Sequence, residues 1–162
     1  MKEVKSTFTF KELDNADELP QHLQQLLSKA KLAIENAYAP YSKFKVGAAV
    51  LLENGEIVSG SNQENASSPA GICAERVALS AASGMNPGVA VTAIAISAKG
   101  DGYSINEPVG PCGICRQTIL EYETRFHRNI EIILQGEVGK ILWIASVKDL
   151  LPLNFSREDL NQ

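Results

Sequence analysis

Residues 89–98 read VAVTAIAISA, a nearly unbroken apolar run rich in β-branched side chains. A strand with one wet face alternates polar and apolar residues, whereas a strand covered on both faces need not. The run therefore suits a strand buried on both faces of its sheet. On the N-terminal side, residues 72–83 (ICAERVALSAAS) read as a helix closed by Gly84. On the C-terminal side, residues 99–110 form a Gly-, Asp- and Pro-containing loop. A helix over 112–126 follows, with Cys115, Thr118, Ile119, Tyr122 and Phe126 on one side. Helices alternating with strands imply parallel pairing through right-handed crossovers.

Further out, residues 130–135 (IEIILQ) and 140–145 (KILWIA) read as strands. Only residues 136–139 join them, too few for a parallel crossover, so they run antiparallel. Upstream, 44–52 (FKVGAAVLL) and 56–62 (EIVSGSN) read as a hairpin. Asn54-Gly55 between them predicts a type I′ turn, with positive φ at both residues. Residues 18–37 carry Leu19, Leu23, Leu26, Leu27, Ala30, Ile34 and Ala37 at helical spacing, with Asp17 as cap and Pro20 in the first turn. Residues 2–10 alternate and are expected as an extra edge strand. Short helical turns are expected near 147–151 and 156–160. The expected class is α/β in three layers, α/β/α, with a mixed five-stranded sheet. Residues 1–162 are read as one domain with an N-terminal extension over 1–17.

Composition agrees with a packed domain: 162 residues, 44% hydrophobic and 21% charged. A chain of this length buries roughly 70% of its unfolded surface. Its apolar runs fall short of the roughly 20 residues of a membrane helix, so no membrane partner is expected. Residues 1–10 show no secretory apolar core. The net charge is −4, with no basic run, so no nucleic-acid partner is expected. Three cysteines cannot all pair within the chain. They are read as ligands or catalysts rather than disulfide staples, in a reducing, cytoplasmic setting.

The cysteines fall in two motifs, Cys73-Ala74-Glu75 and Pro111-Cys112-Gly113-Ile114-Cys115. Each sits where a helix begins, and a helix N-terminus stabilises thiolate, the metal-binding form. The two-residue spacing lets one helical turn present Cys112 and Cys115 to one ion, and Cys73 supplies a third sulfur. Three thiolates suit Zn²⁺, which takes four ligands in a tetrahedron. His22 and His127 do not fit as the fourth, so a place remains for water, as in catalytic zinc sites. Glu75, two positions after a ligand, is expected to move a proton from that water. Three thiolates with Zn²⁺ leave a net −1, and Arg76 is expected to offset it by hydrogen bonding to ligand sulfur.

These residues resemble the zinc-dependent deaminases of nucleobases and nucleosides. The resemblance extends to 38–44 (YAPYSKF), 46–49 (VGAA), Gly60, 62–67 (NQENAS), 73–76 (CAER), 111–117 (PCGICRQ) and 150–152 (LLP) followed by Phe155. Together they cover about residues 20–160 and look like the small cytidine deaminases with three cysteine ligands. The resemblance implies one zinc per chain on Cys73, Cys112 and Cys115, with Glu75 as proton shuttle. It implies that Asn62 and Glu64 hold ribose hydroxyls and that the Phe44 ring packs on the base. Backbone groups at Ala74 and Gly110 would bind the pyrimidine edge and the amine. Phe155 would reach the site of a neighbouring subunit in a homotetramer. The implied reaction is hydrolysis of cytidine and 2′-deoxycytidine to the uridines in pyrimidine salvage. The alternative substrate is another aminopyrimidine nucleoside, N4-substituted or of the blasticidin type. Ser68-Pro69, Gly110 and a longer 99–110 loop depart from the family pattern, all expected near the pocket mouth.

Overall fold

The computed structural model describes residues 1–160. Among these, six strands form one sheet: β1 (Lys11–Leu13), β2 (Phe44–Leu52), β3 (Ile57–Ser61), β4 (Val91–Gly100), β5 (Glu131–Gln135) and β6 (Ile141–Ile144). The helices are α1 (Gln21–Ala33), α2 (Ala74–Met85) and α3 (Gly113–Phe126). The sheet order is β1-β6-β5-β4-β2-β3. Strand β2 runs antiparallel to both β3 and β4, so these two point the same way with β2 between them. Strands β4 and β5 pair in parallel across α3, and β5 and β6 pair antiparallel.

The pleat sorts the core. Ala48, Val50 and Leu52 of β2, with Ile94 and Ile96 of β4, meet Ala78, Leu79 and Ala82 of α2 and Ile119 and Leu120 of α3. The alternate residues Ala49, Ala93 and Ala95 face Leu23, Leu26, Leu27 and Ala30 of α1. Small residues on this face let α1 lie close while its leucines fill the space, each contributing about 2 kcal/mol on burial. Gly47 marks the closest approach: a Cβ there would lie 2.7 Å from Ile34 N and collide with Ala30 O.

Four local expectations are corrected. The edge strand lies at Lys11–Leu13, not over 2–10, and makes the sheet six-stranded rather than five-stranded. Leu13 has core to pack against, Lys11 covers the Trp143 ring, and Glu12 pairs with Lys140. Residues 2–10 are exposed, so their alternation has no face to bury. The first helix starts at Gln21, after Pro20. Ahead of it, Ala16–Glu18 form a separate 3₁₀ turn in a capping box of Asn15 and Glu18, so Asn15 and not Asp17 is the cap. The Asn54-Gly55 hairpin has positive φ only at Gly55, +87°. The bonds Gly55 N to Leu52 O and Leu52 N to Glu56 O make it a three-residue loop with a bulge, which needs one left-handed residue instead of two. Finally, α2 runs through Gly84 to Met85; Pro87 restrains Asn86 from helical geometry and supplies the stop.

Candidate active site

Helices α2 and α3 both begin beyond the carboxyl ends of strands that point the same way, β3 and β4, so their N-termini meet on one side of the sheet. Cys73 is the N-cap of α2 and Cys112 the N-cap of α3. Gly60 lets α2 settle on β3, since a Cβ there would lie 2.6 Å from Ala78 N and 2.9 Å from Ala74 O. Just before Cys73, paired bonds of 2.9 Å between Gln63 and Ile72 close the 63–72 loop. On the other side Tyr38 N donates to Asn62 O and Glu64 N to Tyr38 O.

The three sulfurs converge. All lie within 4.8 Å of one another, and Cys73 Sγ is 3.9 Å from Cys112 Sγ. A tetrahedral ion with Zn–S bonds of about 2.3 Å spaces its sulfurs about 3.8 Å apart, so the donor set fits zinc. Cys115 is fully buried, Cys73 half-buried and Cys112 exposed. The Cys115 thiol beside it holds the Cys73 thiol down at about 6, with the Arg76 charge helping and the Glu75 charge opposing. Cys115 is pushed far up by that same interaction, by burial and by Glu75. No histidine joins the cluster among the described residues. His127 caps the far end of α3, and His22 lies on α1.

Glu75 occupies the first turn of α2 and is 5% exposed. Its charge bears on both Cys73 and Cys115, yet among the described residues no donor bonds its carboxylate. Arg76 acts on Cys73 through its charge; the expected hydrogen bond to sulfur is not formed among the described residues.

A cleft of about 620 Å³ opens beside Cys73, lined by Tyr41, Ser42, Asn62, Glu64 and Ser68 among others. Asn62 braces the site: Oδ1 accepts from Val46 N at 2.8 Å and Nδ2 donates to Phe44 O at 2.9 Å. Glu64 Oε2 accepts from Tyr41 N at 2.9 Å and Ser42 N at 3.3 Å. The Ser42 side chain and these amides hold the Glu64 carboxyl below its ordinary range. Sequence reading missed Tyr41 and Ser42 as the seat of Glu64; the proline in Pro40-Tyr41-Ser42-Lys43 was the available signal for a turn, which the structure completes with Lys43 at φ +59°. Phe44 is half-buried at the start of β2, Ala74 is fully buried, and Gly110 and Phe155 are exposed. None of these four lines the cleft. Of the three expected mouth features, Ser68 lines it, whereas the long loop is pinned elsewhere. Glu137 N donates to Ile105 O at 2.7 Å, and a Cβ at Gly136 would come within 2.8 Å of Glu107 O.

The family model described as "Cytidine and deoxycytidylate deaminase zinc-binding region" matches residues 20–127. The chain belongs to this family. A cytidine deaminase of Halalkalibacterium halodurans is 39% identical over 143 residues, 85% of this chain and 97% of that one. One from Sporosarcina psychrophila is 40% identical over 140 residues, 86% and 95% of the two chains. The crystal structure of a cytidine deaminase from Burkholderia pseudomallei has a TM-score of 0.71 at 39% identity, covering 85% of this chain and all of that one. In this deaminase-family chain the matched region holds all three cysteines, Glu75, Asn62 and Glu64. Strand β1 lies ahead of it.

Proposed function

We propose that the chain hydrolyses cytidine and 2′-deoxycytidine to uridine and 2′-deoxyuridine, releasing ammonia. The observation that carries the proposal is Glu75, a buried carboxylate without a donor among the described residues, in the first turn of the helix that Cys73 caps, its charge bearing on two of three converging cysteine sulfurs. Cys73, Cys112 and Cys115 hold one zinc. When bound, zinc lowers the pKa of a water and so supplies a nucleophile at neutral pH. Glu75 takes the first proton and delivers it to N3 of the base, which makes C4 electrophilic. It carries the second to the departing amine. The water's two protons thus end on N3 and on ammonia, and its oxygen on C4.

Asn62 and Glu64 hold the ribose hydroxyls. Each keeps hydrogen-bonding capacity after its backbone bonds: Asn62 one proton and one lone pair, Glu64 a second oxygen. The Phe44 ring packs on the base, and backbone groups of Ala74 and Gly110 meet the pyrimidine edge. The Arg76 charge offsets the thiolates. Phe155 extends from the surface toward a neighbouring subunit of a homotetramer. The setting is cytoplasmic pyrimidine salvage on free nucleosides, not nucleic acid; three free thiols and a net charge of −4 support it. Among the described residues no helix is long and apolar enough to cross a membrane.

The test follows ultraviolet absorbance when zinc-loaded protein meets cytidine. Rapid loss is expected, abolished by a chelator and restored by zinc. Intact cytidine beside protein carrying one zinc per chain would overturn the substrate. N4-substituted and antibiotic nucleosides would then be assayed.

A further inference from the structure

Behind the zinc turn stands a side chain that the deamination scheme does not use. Arg116 follows Cys115 near the start of α3. Its Nε donates to Pro111 O at 2.8 Å, and its Nη1 donates to Leu150 O at 2.7 Å. Pro111 is buried and immediately precedes Cys112. The first bond therefore closes the turn that carries Cys112 and Cys115. The second reaches the 3₁₀ turn Val147–Leu150, which follows β6. Gln117 adds a third bond, from Nε2 to Phe155 O at 2.9 Å. Near the other end of α3, Glu123 accepts from Ser146 Oγ at 2.8 Å and Val147 N at 3.0 Å. The segment 146–155 is thus fastened along α3, at one end by Glu123 and at the other by Arg116 and Gln117.

We infer that Arg116 is a positioning residue that fixes two zinc ligands against the C-terminal segment. The inference rests on the zinc site proposed above. The residue type matters. Two carbonyls at 2.7–2.8 Å are met by different nitrogens of one rigid planar group. A lysine offers a single nitrogen on a flexible stem and does not reproduce that fork. Both acceptors are neutral backbone atoms, so the bonds set geometry rather than cancel charge. Where the C-terminal segment sits thereby determines where Cys112 and Cys115 sit.

The test uses the full zinc-loaded chain with Arg116→Gln and Arg116→Lys. Zinc release to a chromogenic chelator is timed well below the melting temperature. Both variants are expected to release zinc about 10–100-fold faster. The visible spectrum of the cobalt-substituted protein is expected to shift, and kcat to fall with little change in KM. Wild-type release and spectrum in Arg116→Lys would overturn the inference, because charge alone would then suffice. Wild-type behaviour in Arg116→Gln would overturn it too. If Arg116→Gln fails to fold, Arg116→Lys decides, since it keeps the charge and the packed stem. Neither zinc release nor the cobalt spectrum needs substrate. Altered release in a protein that spares cytidine would therefore overturn the substrate and leave the clamp standing.

Discussion

Two buried carboxylates behave in opposite ways in this molecule. Glu123, near the end of α3, is 2% exposed and accepts from Ile130 N, Ser146 Oγ and Val147 N. Glu75, at the start of α2, is 5% exposed and accepts from no donor among the described residues. Burying a carboxylate is costly unless hydrogen bonds compensate it. Glu123 is compensated and fastens to α3 the residue before β5 and the start of the turn after β6. Glu75 has no such partner among the described residues, and its oxygens are not among the fully buried unpaired atoms, so its carboxylate keeps contact with solvent beside the cysteines. Hydrogen bonding thus separates the two carboxylates more sharply than burial does.

The strongest attempt to break the comparison is Glu75→Ala. Turnover is expected to fall about 10⁴-fold, the upper range for a proton-transfer group, with zinc content and melting temperature retained. A fall below tenfold would show that Glu75 is not the shuttle. The converse is Glu123→Ala, which strands two backbone N–H groups and a hydroxyl. A loss of about 3 kcal/mol is expected in urea unfolding, with kcat of the folded, zinc-loaded fraction within threefold of wild type. Unchanged stability would remove the distinction. Gly60→Ala asks whether the seat of α2 sets the Glu75 position. The new Cβ must push Ala78 N and Ala74 O away. About 2 kcal/mol of stability and a reduced kcat are expected together; loss of stability alone would separate the seat from the chemistry.

The smallest effect concerns Glu64, an exposed carboxylate between the two extremes. Its folded-state value lies below the ordinary 4.5, chiefly through Ser42. The clasp on Tyr41 and Ser42 is therefore fully present above about 4.5 and is lost as pH falls through the lower folded value. Amide resonances of Tyr41 and Ser42 followed in an acid titration should move with a midpoint below 4.5. A midpoint at or above it would show that the clasp does not hold the charged form.

Much was legible in the chain itself. The run at 89–98, the helical spacing of the α1 leucines and the short 136–139 link were enough to foresee an α/β sheet whose last two strands are antiparallel. The three cysteines and Glu75 were legible because helix starts and a two-residue spacing are local features, and the sulfurs do converge. Capping and turn details failed where several nearby residues could play one part, as with Asn15 against Asp17 and one left-handed residue against two. Only the tertiary structure decided which carboxylate is spent and which is free. The partners of Glu123 include residues 23 and 24 positions away, and those of Glu64 lie 22 and 23 away. The same holds for the Asn62 brace and for Arg116, whose second carbonyl is 34 positions distant. Hydrophobic period and helix-start chemistry are set by neighbours along the chain. A long-range hydrogen bond is set by sheet order and by how closely glycines such as Gly60 let helices approach, and those exist only once the chain has folded.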